Sequence, residues 1–288
     1  MGLLTPDDPG YDPSIRQTGF KRYKQLLSFY GVHWFQVGLL TVVGAMPLAT
    51  GVTLSVLSSS LLLLLPCSIA GGMIFGPFLA GMFDAVLRGL RDDPNNWWTN
   101  YKKSWRQNWT GSLLPGAFLG LFAGVYAFMA HLFWWARRAP SPGTVALYLF
   151  SGLVLVIFTT LYWPQLVLFR QTIPNRLRNI ILFTAKYLWK VTGAALVQML
   201  YLAILILFAP WSLILIPILG AWYIIFLSQF MLYNALNAEL QIEEQFAQAE
   251  ESEVCFHADG GAGRQEGGAP DVRPREGEWR PDELHQGP

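Results

Sequence analysis

A single carboxylate lies within a long apolar stretch of this chain. Asp84 is the only acidic residue between Asp12 and Asp92, and Leu, Phe, Met and Gly surround it. A carboxylate in an apolar medium can bind a proton or a small cation. Charged residues are rare within membranes, and those that occur there usually have a function. It can equally form an ion pair with Arg88, one helical turn further along the chain. The sequence leaves both interpretations open.

Small residues precede Asp84 at spacings of four, which places them with it on one face of a helix. Such a face is typical of close contact between membrane helices. The same stretch contains a Gly-Gly and a Gly-Pro pair, which favours a break in the helix. Broken membrane helices expose backbone groups that transporters use to bind substrates. The candidate helix-break or transport residues are Gly71, Gly72, Gly76, Pro77 and Asp84.

Acidic residues are missing from a long part of the chain. No Asp or Glu occurs between Pro94 and Ala238, and 53% of the whole sequence is hydrophobic while only 14% is charged. A soluble domain of this length needs acidic groups on its surface, whereas a protein surrounded by lipid does not. The composition therefore predicts an all-α integral membrane protein, with the lipid bilayer as its partner.

Apolar runs long enough to cross a bilayer, which takes about 20 residues, recur six times. The predicted fold is a helical bundle of six transmembrane helices. Because the second run contains the Gly and Pro residues described above, five full spans plus a re-entrant hairpin is the alternative. The runs cover residues 33–57, 61–89, 111–135, 145–169, 191–209 and 211–236.

Two segments between these runs combine aromatic and basic residues at helical spacing. In the first, which begins after Asp93 and Pro94, aromatic residues recur every four positions and basic residues occupy another face. This pattern is typical of a helix in the headgroup region of a membrane, and we expect no nucleic-acid partner. Residues 175–190 repeat the plan, which predicts two cytoplasmic interfacial helices. The interfacial anchors of the first are Trp97, Tyr101, Lys102, Lys103, Trp105, Arg106 and Trp109.

The basic residues are distributed unevenly between the loops. If the N terminus is cytoplasmic, the loops on that side carry 14 Lys and Arg residues, and the opposite side carries only Arg137 and Arg138. Loops rich in Lys and Arg are retained in the cytoplasm. Both termini are therefore predicted to be cytoplasmic.

The composition changes near residue 238. Residues 1–238 hold 16 Lys and Arg against six Asp and Glu, whereas residues 239–288 hold four against 13. We expect the acidic end to be solvated and dispensable beyond Ala249, the alternative being an element that docks on the basic loops or on a partner. The predicted parts are a polar segment (1–19), a membrane domain (20–240), an acidic helical extension (241–255) and a disordered tail (256–288).

Motifs of known enzyme chemistry are missing from the sequence. There is no nucleophile elbow, phosphate-binding loop or HExxH motif. The two cysteines, Cys67 and Cys255, form no CxxC pair, and His33 and His131 have no metal-ligating neighbours in the sequence. We therefore expect neither an enzyme nor a bound cofactor or metal ion.

Five short segments occur in an order that is similar to a known family. They lie at 65–77, which includes the Gly-Pro pair, and at 89–94, 101–109, 175–182 and 231–236. Together they resemble the YesL-like family of bacterial multi-spanning membrane proteins, over residues 20–240. The additional apolar run at 33–57 and the long polar tail depart from the family pattern.

The resemblance implies a multi-pass protein of the bacterial cytoplasmic membrane and an association with carbohydrate uptake. It implies no catalytic residues. We therefore expect a non-enzymatic protein that assists or performs the uptake of a small solute such as a carbohydrate. The alternative is a structural or assembly partner of another membrane protein, with no translocation path of its own. A permease and a second copy of this chain are the partners that we consider.

Reporter fusions test the predicted orientation. A reporter that is active only in the cytoplasm should be active at the C terminus and inactive when fused after Pro140, because loops rich in basic residues stay inside. A reporter that is active only outside should give the converse pattern. A cytoplasmic signal from the loop at 136–143 would contradict the orientation.

Overall fold

The computed structural model describes residues 18–93, 96–135, 140–169, 171–208 and 211–246, and these ranges contain helices and no strand. The predicted disordered tail at 256–288 lies outside them, as does most of the polar segment at 1–19. In chain order the helices are α1 (Gly19–Leu57), α2 (Leu61–Leu90), α3 (Trp97–Trp135), α4 (Pro142–Leu168), α5 (Ile173–Lys186), α6 (Leu188–Leu207) and α7 (Ser212–Leu240).

Six of these helices, all except α5, are long and apolar enough to cross a membrane. The predicted all-α bundle of six membrane helices is thus confirmed. The short helix α5 has 14 residues and buries Ile180 and Phe183. It corresponds to the second predicted interfacial helix, although it ends at Lys186 rather than at residue 190.

The first predicted interfacial helix is not a separate element. Residues 97–109 are the opening turns of α3, which runs without interruption from Trp97 to Trp135 over 39 residues. At 1.5 Å per residue this helix is about 58 Å long, so it extends far beyond a hydrocarbon core of about 30 Å. The prediction was wrong because an aromatic stripe suits contact with a neighbouring helix as well as it suits a membrane surface.

The packed core lies between α1, α2, α4 and α7. Trp34 of α1 is 1% exposed, and the centre of its ring lies 4.5 Å from that of Phe226 on α7. Its indole N–H donates to the carbonyl oxygen of Ala85 on α2 over 3.1 Å, so the buried polar group is satisfied. On α4, the buried residues all lie between Thr160 and Leu168. Helix α4 is therefore most tightly packed near the start of α5, and its first part is more exposed, although Tyr148 still contacts Tyr126 of α3.

A kink occurs in the last helix rather than in the second. Gly220 of α7 has non-helical backbone angles, with φ −1° and ψ −131°. The Tyr201 hydroxyl of α6 donates to the Gly220 carbonyl oxygen over 3.2 Å. A neighbouring helix thus satisfies a backbone group that the kink releases, which is the condition for an irregular backbone within a membrane.

The last helix breaks at the start of the predicted acidic helical extension over 241–255, of which residues 247–255 lie outside the described ranges. Helix α7 ends at Leu240, and Gln241 adopts a left-handed conformation with φ 45°. The chain then folds back as a helical turn over 242–246. Ile242 is fully buried, and the Arg91 guanidinium lies 3.9 Å from the centre of the Phe246 ring. The fold-back gives these two apolar side chains partners that a straight helix would lack.

Two truncations test the fold-back. A chain that ends after Leu240 loses the buried Ile242 and the cation–π contact of Phe246, so we expect it to lose at least about 1.5–3 kcal/mol of stability. A chain that ends after Phe246 keeps both contacts and should unfold at the temperature of the full chain. Thermal unfolding of the purified proteins in detergent measures the difference. Equal stability of the two truncated chains would contradict the packing of 241–246.

Candidate functional site

The predicted break at Gly71, Gly72, Gly76 and Pro77 does not occur. All four residues lie inside α2, which is a single helix of 30 residues with Pro66 and Pro77 in its interior. The prediction was wrong because Gly and Pro are tolerated in membrane helices where neighbouring elements cover the backbone.

Glycines of α2 bring its backbone into contact with that of α3. A Cβ atom added to Gly72 would overlap the Gly116 carbonyl oxygen and lie 2.8 Å from the Gly120 Cα atom. A Cβ at Gly76 would overlap the Ser112 carbonyl oxygen. These positions tolerate no side chain because the atoms in the way belong to the backbone. The glycines therefore serve helix packing, which is the alternative that their spacing also predicts.

The opposite side of α2 is closed by α1. A Cβ at Gly71 would lie 2.5 Å from the Cα atom of Leu48. On α1, a Cβ at Gly44 would overlap the ring of Phe78. Helix α2 is thus held between two neighbours at the level of Gly71 to Gly76.

Asp84 is paired with the basic residue one turn away. It is 6% exposed, and the Nε atom of Arg88 donates to its Oδ2 atom over 2.9 Å. The Nη1 atom of Arg88 donates to the Oδ2 atom of Asp93 over 2.7 Å. One guanidinium thus joins the end of α2 to the following loop, as the ion-pair interpretation of Asp84 predicts.

A second ion pair ties the same loop to α1. The Nη2 atom of Arg22 donates to Asp92 Oδ2 over 2.6 Å and to the Leu90 carbonyl oxygen over 3.3 Å. Arg22 is only 8% exposed, so its charge is largely removed from water and depends on this carboxylate. The two pairs make the end of α2 a rigid polar junction.

A small cavity of about 40 Å³ adjoins Asp84. Asp84, Arg88, His33 and Tyr101 are among the residues that line it. The Tyr101 hydroxyl is buried and lacks a hydrogen-bond partner. The cavity has room for about one water molecule or small ion, and it is far too small for a sugar.

The predicted interfacial anchors divide into two groups. Tyr101 is 6% exposed and its ring lies against Gly81, while the rings of Trp105 and Phe78 meet edge to face at 6.2 Å. These rings pack on α2 instead of facing a membrane surface, and Trp97 is half-buried beside them. Lys102, Arg106 and Trp109 are exposed, and Lys103 is half-buried. Only this second group remains available to lipid headgroups.

Amide side chains join the helices in the interior. Pro164 has no N–H to offer the Thr160 carbonyl oxygen four residues earlier, and the Nε2 atom of Gln229 on α7 donates to that oxygen over 3.0 Å. Gln198 of α6 donates to the Thr160 hydroxyl over 2.7 Å. The amides thus compensate for a proline within α4 and connect three membrane helices.

A groove between α3, α4 and α5, which we call the α3–α4 groove, was not predicted from the sequence. It encloses about 670 Å³ and its walls are apolar. It lies mainly along the part of α4 that precedes Thr160, where α4 has no buried residue, and no local pattern indicates such a gap between helices. Its lining residues include Phe118, Phe122, Val154, Phe158, Tyr162 and Leu177.

Six apolar helices around a buried core define an all-α, multi-pass membrane protein suited to a lipid bilayer. No protein-family model, curated protein or solved structure matches this chain. Among the residues that the structure describes, no cluster of His, Cys, Asp and Glu could hold a metal ion.

Alanine substitutions at two glycines test the helix contact. Gly72→Ala forces a methyl group into the backbone of α3, so we expect a loss of about 1–3 kcal/mol in stability. Gly193→Ala in α6 is the matched control, since its Cβ would meet only the Met231 Cε atom at 4.0 Å. The control should be neutral or more stable by up to about 1 kcal/mol. Thermal unfolding in detergent compares the two, and equal effects would show that the α2–α3 contact is looser than described.

Proposed function

We propose that this chain is a non-enzymatic protein of the bacterial cytoplasmic membrane that assists the uptake of a small solute through a partner membrane protein. In this proposal it has no translocation path of its own along α2. The solute class, a carbohydrate, and the bacterial membrane come from the resemblance to the YesL-like family. The accessory role is supported by the packing of the helices.

The closed contacts of α2 carry the proposal. A transporter that used a broken second helix would present backbone groups to a hydrated site. Here Gly71 and Gly72 contact α1 and α3, and α2 is unbroken through Pro77. The carboxylate that could have served such a site, Asp84, is engaged by Arg88.

The second candidate function is uptake by the chain itself. The small cavity beside Asp84 favours it, because a buried carboxylate next to an unpartnered Tyr101 hydroxyl could take a proton or a small cation. If the binding of such an ion were coupled to the transport of a solute, α2 would have to move away from α1 or α3.

Reconstitution distinguishes the two candidates. Vesicles that contain only the purified protein should take up a panel of labelled mono- and disaccharides no faster than protein-free vesicles. A strain that lacks the protein should grow more slowly on at least one of these sugars, and affinity purification from membranes should recover a permease. Uptake by the protein alone would contradict the accessory role. Unchanged growth on every sugar, with no permease recovered, would overturn the proposal.

Substitutions of single carboxylates also distinguish the accessory role from transport by the chain itself. Asp84→Asn removes the buried charge, and Asp93→Asn removes the other carboxylate of Arg88 as a matched control. The accessory role predicts that both variants restore growth of the deletion strain wherever they accumulate to the level of the wild type. Loss of growth with Asp84→Asn alone, at normal protein level, would favour an ion site in the chain itself.

A further inference from the structure

We propose that the α3–α4 groove binds one anionic phospholipid, with an acyl chain along the groove and the phosphate at the start of α5. The inference is independent of the proposed function. It rests on the chemistry of the groove walls, on the charge of Arg176 and on the N-terminus of α5.

The walls of the groove accept only an apolar occupant. The hydroxyl groups that line it are already engaged within the chain: Tyr126 pairs with Ser151, and Thr159 donates to the Leu155 carbonyl oxygen over 3.1 Å. The Tyr162 hydroxyl accepts a hydrogen bond from Arg176. The walls therefore need no hydrogen bond from a bound molecule along this length, which suits a hydrocarbon chain.

The groove has the length of an acyl chain. Its lining residues on α3 run from Leu114 to Tyr126. At 1.5 Å per residue this is about 18 Å, and one leaflet accounts for about 15 Å of the hydrocarbon core. A chain that enters at the α5 end therefore reaches through its own leaflet along the groove.

A buried charge, that of Arg176, contacts the lining residue Tyr162 at the α5 end of the groove, although Arg176 is not itself a lining residue. Arg176 is 4% exposed, and its Nη1 atom donates to the Tyr162 hydroxyl oxygen over 2.9 Å. Its Nη2 atom donates to the Gln171 carbonyl oxygen over 3.1 Å, and its Nε atom has no partner. Ile173 and Leu177, on the same helix, line the groove beside it.

No carboxylate neutralises this charge within the described part of the chain. Helices α3, α4 and α5 contain no acidic residue at all. Of the nearest acids along the chain, Glu239 contacts Lys186 and Tyr187, and Asp93 contacts Arg88. An unpaired buried guanidinium is costly. A phosphate group would supply the missing negative charge through charge-assisted hydrogen bonds.

The start of α5 adds backbone donors at the same place. Thr172 precedes the helix and its side chain makes no capping hydrogen bond. Because Pro174 has no N–H, the donors of the first turn are the N–H groups of Ile173 and Asn175, and such groups favour an anion. Ile173, the first residue of α5, lines the groove, so these donors lie where the acyl chain would meet its headgroup.

Native mass spectrometry of the delipidated full chain in detergent tests the site. Titration with phosphatidylglycerol, which is anionic, should show one tightly bound lipid, with about tenfold weaker binding of zwitterionic phosphatidylcholine. Inorganic phosphate should not displace the lipid, because it cannot occupy the groove. Equal binding of the two lipids, displacement by phosphate, or a second copy of the chain in place of lipid would overturn the proposal.

Substitutions separate the headgroup contact from the groove. Arg176→Gln should remove the preference for phosphatidylglycerol. Arg178 is an exposed arginine on the same helix, so Arg178→Gln is the control and should retain the preference. Val154 lines the groove and is 49% exposed. Val154→Trp should therefore exclude the acyl chain from the groove and weaken the binding of both lipids, without disturbing the core. Leu149→Trp, at an equally exposed position outside the groove, is the control. Unchanged binding by Val154→Trp would overturn the proposal even if Arg176→Gln fails to fold.

Discussion

The close approach of α2 to its two neighbours is the constraint on which the rest of the bundle depends. At Gly72 and Gly76 the backbone of α2 touches that of α3, and at Gly71 it touches that of α1. In a bilayer there is no hydrophobic gain in moving apolar side chains from lipid to protein, so close packing of small residues has to supply the attraction. Three helices held this closely form a unit against which α4 and α7 pack at one end.

The lack of acidic residues between Pro94 and Ala238 sets the electrostatics of this unit. Near the end of α2, the adjoining loop supplies carboxylates to the buried basic residues. Arg22 pairs with Asp92 and Arg88 pairs with Asp93, so both charges are neutralised locally. Arg176 lies in the acid-free part and has a tyrosine hydroxyl and a carbonyl oxygen as partners instead. The same compositional bias that makes the segment compatible with lipid therefore leaves the buried Arg176 without a carboxylate partner among the described residues.

Prolines and glycines have different consequences in different helices of this protein. Pro77 leaves α2 unbroken, whereas Gly220 kinks α7. Pro164 leaves a carbonyl oxygen that Gln229 of another helix satisfies. In each case the outcome depends on which neighbour can cover the released backbone group. Residue type alone does not contain that information.

The sequence by itself determined the class of the protein and most of its elements. Long apolar runs and missing carboxylates predict six membrane helices, because the hydrocarbon core imposes a length and excludes charge. The pairing of Asp84 with Arg88 also follows from local spacing. Only the tertiary structure decided that Tyr101 and Trp105 pack on α2, that the chain folds back at Gln241 and that α4 leaves a groove beside Arg176. These features depend on contacts between residues far apart in the chain, and a periodic pattern specifies which face of a helix is apolar but not what that face meets.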